Sequence, residues 1–149
     1  MSIRPGRPSS GVRPQGPLVL VVEDDDNLRD LFSTELAAAG FMVLEAADGA
    51  TAIDKATRFG PHAIVLDLML PGVDGFKVAR RLRSDDRTNN VAIIAFTALT
   101  SERIRELAHA AGCDAFMTKP VLPAALVGEL VRLLATRRAT ADMTRVTNR

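Results

Sequence analysis

Five short runs of apolar residues recur along this chain: LVLVV (18–22), MVLEA (42–46), AIVLD (63–67), VAIIAF (91–96) and AFMT (115–118). The strongest of them show no alternation of apolar and polar residues. A strand that reads apolar on successive positions is buried on both faces, which is the pattern of a parallel sheet covered by helices. Between the runs the apolar residues switch to helical spacing. Leu28, Leu31, Phe32 and Leu36 are followed by Gly40, and Ala52, Ile53, Ala56 and Phe59 by Gly60-Pro61. FKVARRLR follows Asp74 as its N-cap, and Ile104, Leu107, Ala108 and Ala111 end at Gly112. Leu126, Leu130, Leu133 and Leu134 line a last helix, with Pro123 near its first turn. No hairpin signal intervenes. Five β-α units therefore predict an α/β fold, a doubly wound five-stranded parallel sheet with helices on both faces.

The flanks differ from this core. Residues 1–17 are rich in Pro, Gly, Ser and Arg and contain no acid. They predict a disordered basic tail. Residues 136–149 hold four arginines and one aspartate and predict a frayed basic C-terminal tail, leaving 18–135 as the folded domain. The formal net charge of +1 hides this partition. Without the seven tail arginines and Asp142, the core holds 12 basic and 17 acidic residues, a net −5. The tails favour solvation over specific nucleic-acid binding. No apolar run approaches the ~20 residues of a membrane span, and no apolar signal-peptide segment opens the chain, so a cytoplasmic protein is expected. A single cysteine, Cys113, excludes an intrachain disulfide and reads as a packing residue. His62 and His109 stand too far apart to suggest a metal pair.

In open α/β sheets, ligands sit at the carboxyl ends of the strands. Here the first strand ends in Glu23-Asp24, the third in Asp67, the fourth in Thr97 and the fifth in Lys119. The sequence VVEDDDN concentrates four acids at the first of these ends. Close carboxylates repel by about 4 kcal/mol per pair at an effective dielectric near 20. A cation among Glu23, Asp24 and Asp67 removes that cost, and an all-oxygen donor set with room for water suits Mg²⁺, with Mn²⁺ as a substitute. Asp26 is expected to cap the following helix, and Asp25 has no evident role. Lys119 projects an ammonium over the same rim, and Thr97 a hydroxyl. A carboxylate near a metal, a lysine and a hydroxyl is equipped to attack phosphorus, and Asp67, isolated at an apolar strand end, is the candidate.

From about residue 18 to 135, the pieces LVLVVEDD, IVLDLMLPGVDG, IAFTA and AGCDAFMTKP, in this order and spacing, resemble the CheY-like receiver domain of bacterial two-component response regulators. The resemblance implies the strand order 2-1-3-4-5, which no periodicity here supplies. It implies that Asp67 accepts a phosphoryl group from a histidine kinase or a histidine phosphotransfer protein. Mg²⁺ would be held by Asp24, Asp67 and the Met69 backbone carbonyl, with Glu23 acting through water. Lys119 would pair with the phosphoryl oxygens, before a cis Lys119-Pro120 bond. Thr97 and Phe116 would move together and bias a docking face made by the fourth helix, fifth strand and fifth helix.

Glu23 stands where many members have Asp, and Phe116 where many have Tyr. Met69 and Leu99 flank the site with apolar side chains that would slow attack by water. No output domain is read after residue 135, so a single-domain regulator is expected, one that docks a protein target, dimerises or relays the phosphoryl group. It is expected to have no enzymatic turnover beyond Mg²⁺-dependent self-phosphorylation and autodephosphorylation. Three other readings compete with this one. A haloacid-dehalogenase-type phosphatase needs a second Asp at position 69, which is Met. A nucleotide- or flavin-binding domain needs a Gly-rich loop where VVEDDDN stands. A phosphorylation-independent interaction module on the same fold remains as the alternative.

Overall fold

The computed structural model describes residues 3–4, 16–99 and 101–147. Its elements are β1 (Ile3–Arg4), β2 (Leu18–Val22), α1 (Asp26–Ala38), β3 (Met42–Ala46), α2 (Gly49–Phe59), β4 (Ala63–Asp67), α3 (Gly75–Arg83), β5 (Ala92–Thr97), α4 (Glu102–Ala110), β6 (Ala115–Thr118) and α5 (Pro123–Thr147). The sheet order is β1-β3-β2-β4-β5-β6. The five longer strands are all parallel. Counted among themselves they run 2-1-3-4-5, the expected order.

The two faces of the sheet divide the core by the period-two rule. Leu20, Val22, Leu44, Ile64, Leu66, Ile93 and Ala95 face Ala52, Ala56, Val78, Leu82 and Ala108 of α2, α3 and α4. Val19, Val21, Val43, Val65, Ile94 and Phe96 face Phe32 and Leu36 of α1 and Leu126, Leu130 and Leu133 of α5. β4 is buried at every position. Each fully buried Leu, Ile, Val or Phe contributes roughly 1.5–3 kcal/mol from burial, so the uninterrupted strands fix the fold. Cys113 is buried in the first cluster, and burial pushes its thiol up to about 12, as a packing residue requires. No helix among the described residues is long and apolar enough to cross a membrane.

Both flanks differ from expectation. Ile3–Arg4, inside the segment read as disordered, pairs antiparallel with Val43 and Leu44 and extends the sheet edge. The rest of that segment, 1–2 and 5–15, lies outside the described residues. At the other end α5 does not fray at 136 but continues to Thr147. This stretch has no Gly or Pro and contains Ala, Arg and Met, good helix formers, and propagation adds one hydrogen bond per residue. Arg137 also ties the helix down, donating to the Asn90 carbonyl and, at 2.9 Å, to Asp114. On the outer surface of α5, Val131 is exposed, whereas Val127 packs on the core.

Candidate phosphoryl-acceptor and metal site

β2 and β4 are hydrogen-bonded neighbours, so their carboxyl ends bring Glu23-Asp24 and Asp67 together. One carboxylate oxygen from each of Glu23, Asp24 and Asp67 lies within 4.8 Å of the other two. Glu23 and Asp67 are buried at 1% and 2% exposure, while Asp24 is exposed. Three carboxylates this close, two of them out of water, make an electrostatically unstable set unless positive charge is present.

Lys119 supplies part of it. Its Nζ lies 3.0 Å from Glu23 Oε1 and 3.0 Å from Asp67 Oδ2. Burial alone would lower the lysine's pKa, but hydrogen bonds to Glu23 and Asp67 outweigh it and raise the value. β6 and the loop behind it place this side chain: the Lys119 N–H donates to the Thr97 carbonyl at 2.8 Å, and Lys119-Pro120 is cis, as the resemblance implied. One ammonium does not balance three carboxylates. Burial, reinforced by Asp67, pushes the Glu23 carboxyl up to about 8. The all-oxygen donor set, half wet and net negative, fits a hard divalent cation of the Mg²⁺ kind.

The loop after β4 holds Asp67 in place. The Met69 N–H donates to Asp67 Oδ1 at 2.9 Å, which leaves both carboxylate oxygens of Asp67 engaged. Gly75 closes this loop, its N–H donating to the Leu68 carbonyl at 3.0 Å. A Cβ at Gly75 would sit 2.5 Å from Leu68 Cα and 2.6 Å from the Asp67 carbonyl oxygen, so a side chain there displaces the acceptor loop. PGVDG (71–75) thus has a positioning part through Gly75. Met69 projects into solvent at 56% exposure, and Leu99 is exposed at 39%.

Thr97 and Phe116 belong to the adjacent strands. Thr97 is fully buried, and its hydroxyl accepts from the Leu99 N–H at 3.2 Å. Phe116 is half-buried against the core, with the Arg105 guanidinium 5.1 Å from its ring centre. The structure therefore assembles Glu23, Asp24, Asp67 and Lys119 directly, with Thr97 and Phe116 one strand and two strands away from β4.

Three details at the start of α1 leave no clear pattern in the sequence. Asp25, not Asp26, is the N-cap of α1, accepting from the Leu28 N–H at 2.8 Å. The capping carboxylate reaches the N–H three residues ahead, which places the cap one residue earlier than expected. Asp26 is the first helical residue and pairs with Arg29 at 2.6 Å. Arg29 itself donates to the Glu23 carbonyl at 2.9 Å. Its only sequence signal was the Asp26–Arg29 spacing of three.

Residues 19–131 match the response regulator receiver domain. The chain belongs to that family. It is 40% identical over 104 residues to the DNA-binding dual master transcriptional regulator RpaA of Synechocystis, covering 70% of this chain and 43% of RpaA. It is 32% identical over 103 residues to the polar-differentiation response regulator DivK of Brucella anthropi, covering 69% of this chain and 84% of DivK. Among solved structures, the chemotaxis protein CheY4 of Vibrio cholerae superposes with a TM-score of 0.76 at 30% identity, covering 78% of this chain and 98% of CheY4. The chain spans about half the length of the first curated relatives it matches. A receiver domain implies a histidine kinase partner and is not an enzyme in the usual sense.

Proposed function

We propose that the receiver domain is a phosphoryl switch in a phosphorelay, with Asp67 as acceptor. The observation that carries this reading is the shared ammonium: Lys119 bridges the two buried carboxylates, Glu23 and Asp67, at 3.0 Å each. An Asp67 oxygen attacks the phosphorus of a phosphohistidine, on a kinase or phosphotransfer protein. The P–N bond breaks and its electron pair leaves with the imidazole, which takes up a proton. Asp24, Asp67, Glu23 and the Met69 carbonyl would hold Mg²⁺ or Mn²⁺, which supplies charge neutralisation for the phosphoryl oxygens when bound. Lys119 follows the incoming charge from Asp67 to the phosphoryl group. Thr97 gives up the Leu99 N–H to bind the same group, and Phe116 moves with it, altering the α4-β6-α5 face.

The output is docking of a protein target, or dimerisation, through that face. The receiver reading draws support from DivK and CheY4, which the chain matches over 84% and 98% of their lengths. The test is intact mass after incubation with acetyl phosphate and Mg²⁺. One phosphoryl group adds to the wild type, and none adds to Asp67→Asn or in the presence of EDTA. A folded wild type that neither gains mass nor binds beryllofluoride would instead make the domain a phosphorylation-independent interaction module.

A further inference from the structure

We propose that Arg29 is a positioning residue for the cation site, aiming the carboxylates of Glu23 and Asp24 through the peptide that joins them. The inference rests on the cation-binding part of the function proposed above. β2 ends at Val22, and the Glu23 N–H makes a last sheet-like bond to the Ala46 carbonyl at 3.1 Å. Beyond this point the Glu23 and Asp24 carbonyls have left the ladder, and a half-buried carbonyl needs another donor. Arg29 provides it, from Nη1 to the Glu23 oxygen at 2.9 Å, with the Asp24 oxygen at a longer 3.5 Å.

The far edge of the same peptide plane is the Asp24 N–H, which donates to Glu23 Oε2 at 3.1 Å. Because the peptide is rigid and planar, the guanidinium that fixes its carbonyl also fixes the direction of that N–H. That N–H in turn aims the Glu23 carboxylate, whose other oxygen meets Lys119. The Cα of Asp24 leaves from the same plane. Arg29 can act as a fixed point because it is itself held from two sides. Its Nη2 lies 2.6 Å from Asp26 Oδ1 at the start of α1, and its Nε lies 3.3 Å from Glu45 Oε2 on the neighbouring β3. The side chain is only 16% exposed. The planar fork of arginine makes these contacts at once, and lysine has no equivalent geometry.

Charge and positioning predict opposite signs. As a mere positive charge beside a cation site, Arg29 opposes binding, and its removal tightens the site. As a positioning residue its removal loosens the site. The experiment is calorimetric titration of the metal-free full chain with Mn²⁺, for wild type, Arg29→Ala and Arg29→Lys. Urea unfolding of the metal-free proteins checks that each variant is folded. Dissociation constants about five- to tenfold weaker in both variants are expected. Tighter or unchanged binding in Arg29→Ala, or wild-type affinity in Arg29→Lys, overturns the proposal. Arg29→Lys retains the charge and helix propensity, so it decides the matter if the alanine variant does not fold. A wild type that binds no Mn²⁺ overturns the cation site itself, and the proposal with it, a result distinct from a wild type that binds while both variants match it.

Discussion

The two ends of the sheet carry ion clusters of opposite construction. At the carboxyl rim one cation, Lys119, is shared by two buried acids, with Asp24 beside them. At the amino rim one acid, Asp114, is shared by two arginines, Arg83 and Arg137, each at 2.9 Å. The amino-rim cluster is satisfied. Asp114 also accepts from the Ile93 N–H at 2.8 Å, and Arg83 spends its remaining donors on the carbonyls of Gly112, Asn89 and Val91. The arginines there retain access to water. With all groups ionised, the three carboxylates and Lys119 of the carboxyl rim leave a net −2, and Glu23 and Asp67 are cut off from solvent. A satisfied cluster holds structure together. An unsatisfied one stores an affinity for positive charge, and a divalent cation offsets a net −2.

The largest effect should come from breaking the satisfied end. Arg83→Ala removes several hydrogen bonds that join α3, the β5 approach and the β6 approach. It should cost about 3 kcal/mol of stability, read as a lower midpoint in urea. Labelling by acetyl phosphate should persist in the fraction that remains folded. A loss below 1 kcal/mol would mean that water replaces these bonds freely, and the contrast between the two ends would collapse.

The unsatisfied end predicts the opposite sign. Burial, with Asp67 adjacent, raises the Glu23 carboxyl from 4.5 to about 8 in the metal-free fold. A group whose folded pKa is raised contributes stability that is fully present below its unfolded value. That contribution is lost as pH rises through the folded value. The metal-free protein should therefore weaken between about pH 5 and pH 8, by something on the order of 2 kcal/mol. Glu23→Gln should flatten that slope, and Mg²⁺ should stabilise the wild type more at pH 8 than at pH 5. Urea midpoints across this range read all three. A metal-free wild type that is equally stable at both pH values would show the carboxyl rim to be as satisfied as the amino rim.

The same contrast explains what the sequence revealed. Strand identity, order of elements and the rim residues Glu23, Asp24, Asp67 and Lys119 were legible, because apolar runs without alternation and charged strand ends are local signals. The Asp74 cap was legible for the same reason. The Arg29 clasp and the Arg83–Asp114–Arg137 cluster were not. Each joins residues whose proximity depends on register, with Arg83 and Asp114 31 positions apart. A long polar side chain gives no hint of which carbonyl it will meet. The cap at Asp25 lies one position before the expected one, since adjacent aspartates are equivalent to a pattern and differ only in backbone angles: Asp25 is extended at φ −71°, ψ 117°. Gly75 could have been suspected from its place after DLMLPGVD, yet its need is set by the approach of Leu68, a tertiary fact. The helical course of 136–147 was obscured by polarity, which argues against burial but not against helix.

The smallest expected effect concerns how long the carboxyl rim stays modified. Once Asp67 carries a phosphoryl group, hydrolysis requires a water lined up on phosphorus. Met69 is the residue whose N–H holds Asp67 Oδ1, so its side chain leaves from the edge of that site, and it is exposed at 56%. A thioether neither donates a proton nor accepts strongly, so it does not orient a water there. Met69→Asn places an amide there that can do both. Dephosphorylation should quicken about threefold, equivalent to ~0.7 kcal/mol off the barrier. The substitution leaves the backbone N–H in place, so labelling by acetyl phosphate should proceed at the wild-type rate. The decay of the phosphorylated mass after removal of acetyl phosphate reads the difference. Equal decay in the two proteins would show that the Met69 side chain does not govern water's access to phosphorus, and would turn attention to Leu99, beyond the end of the neighbouring strand β5.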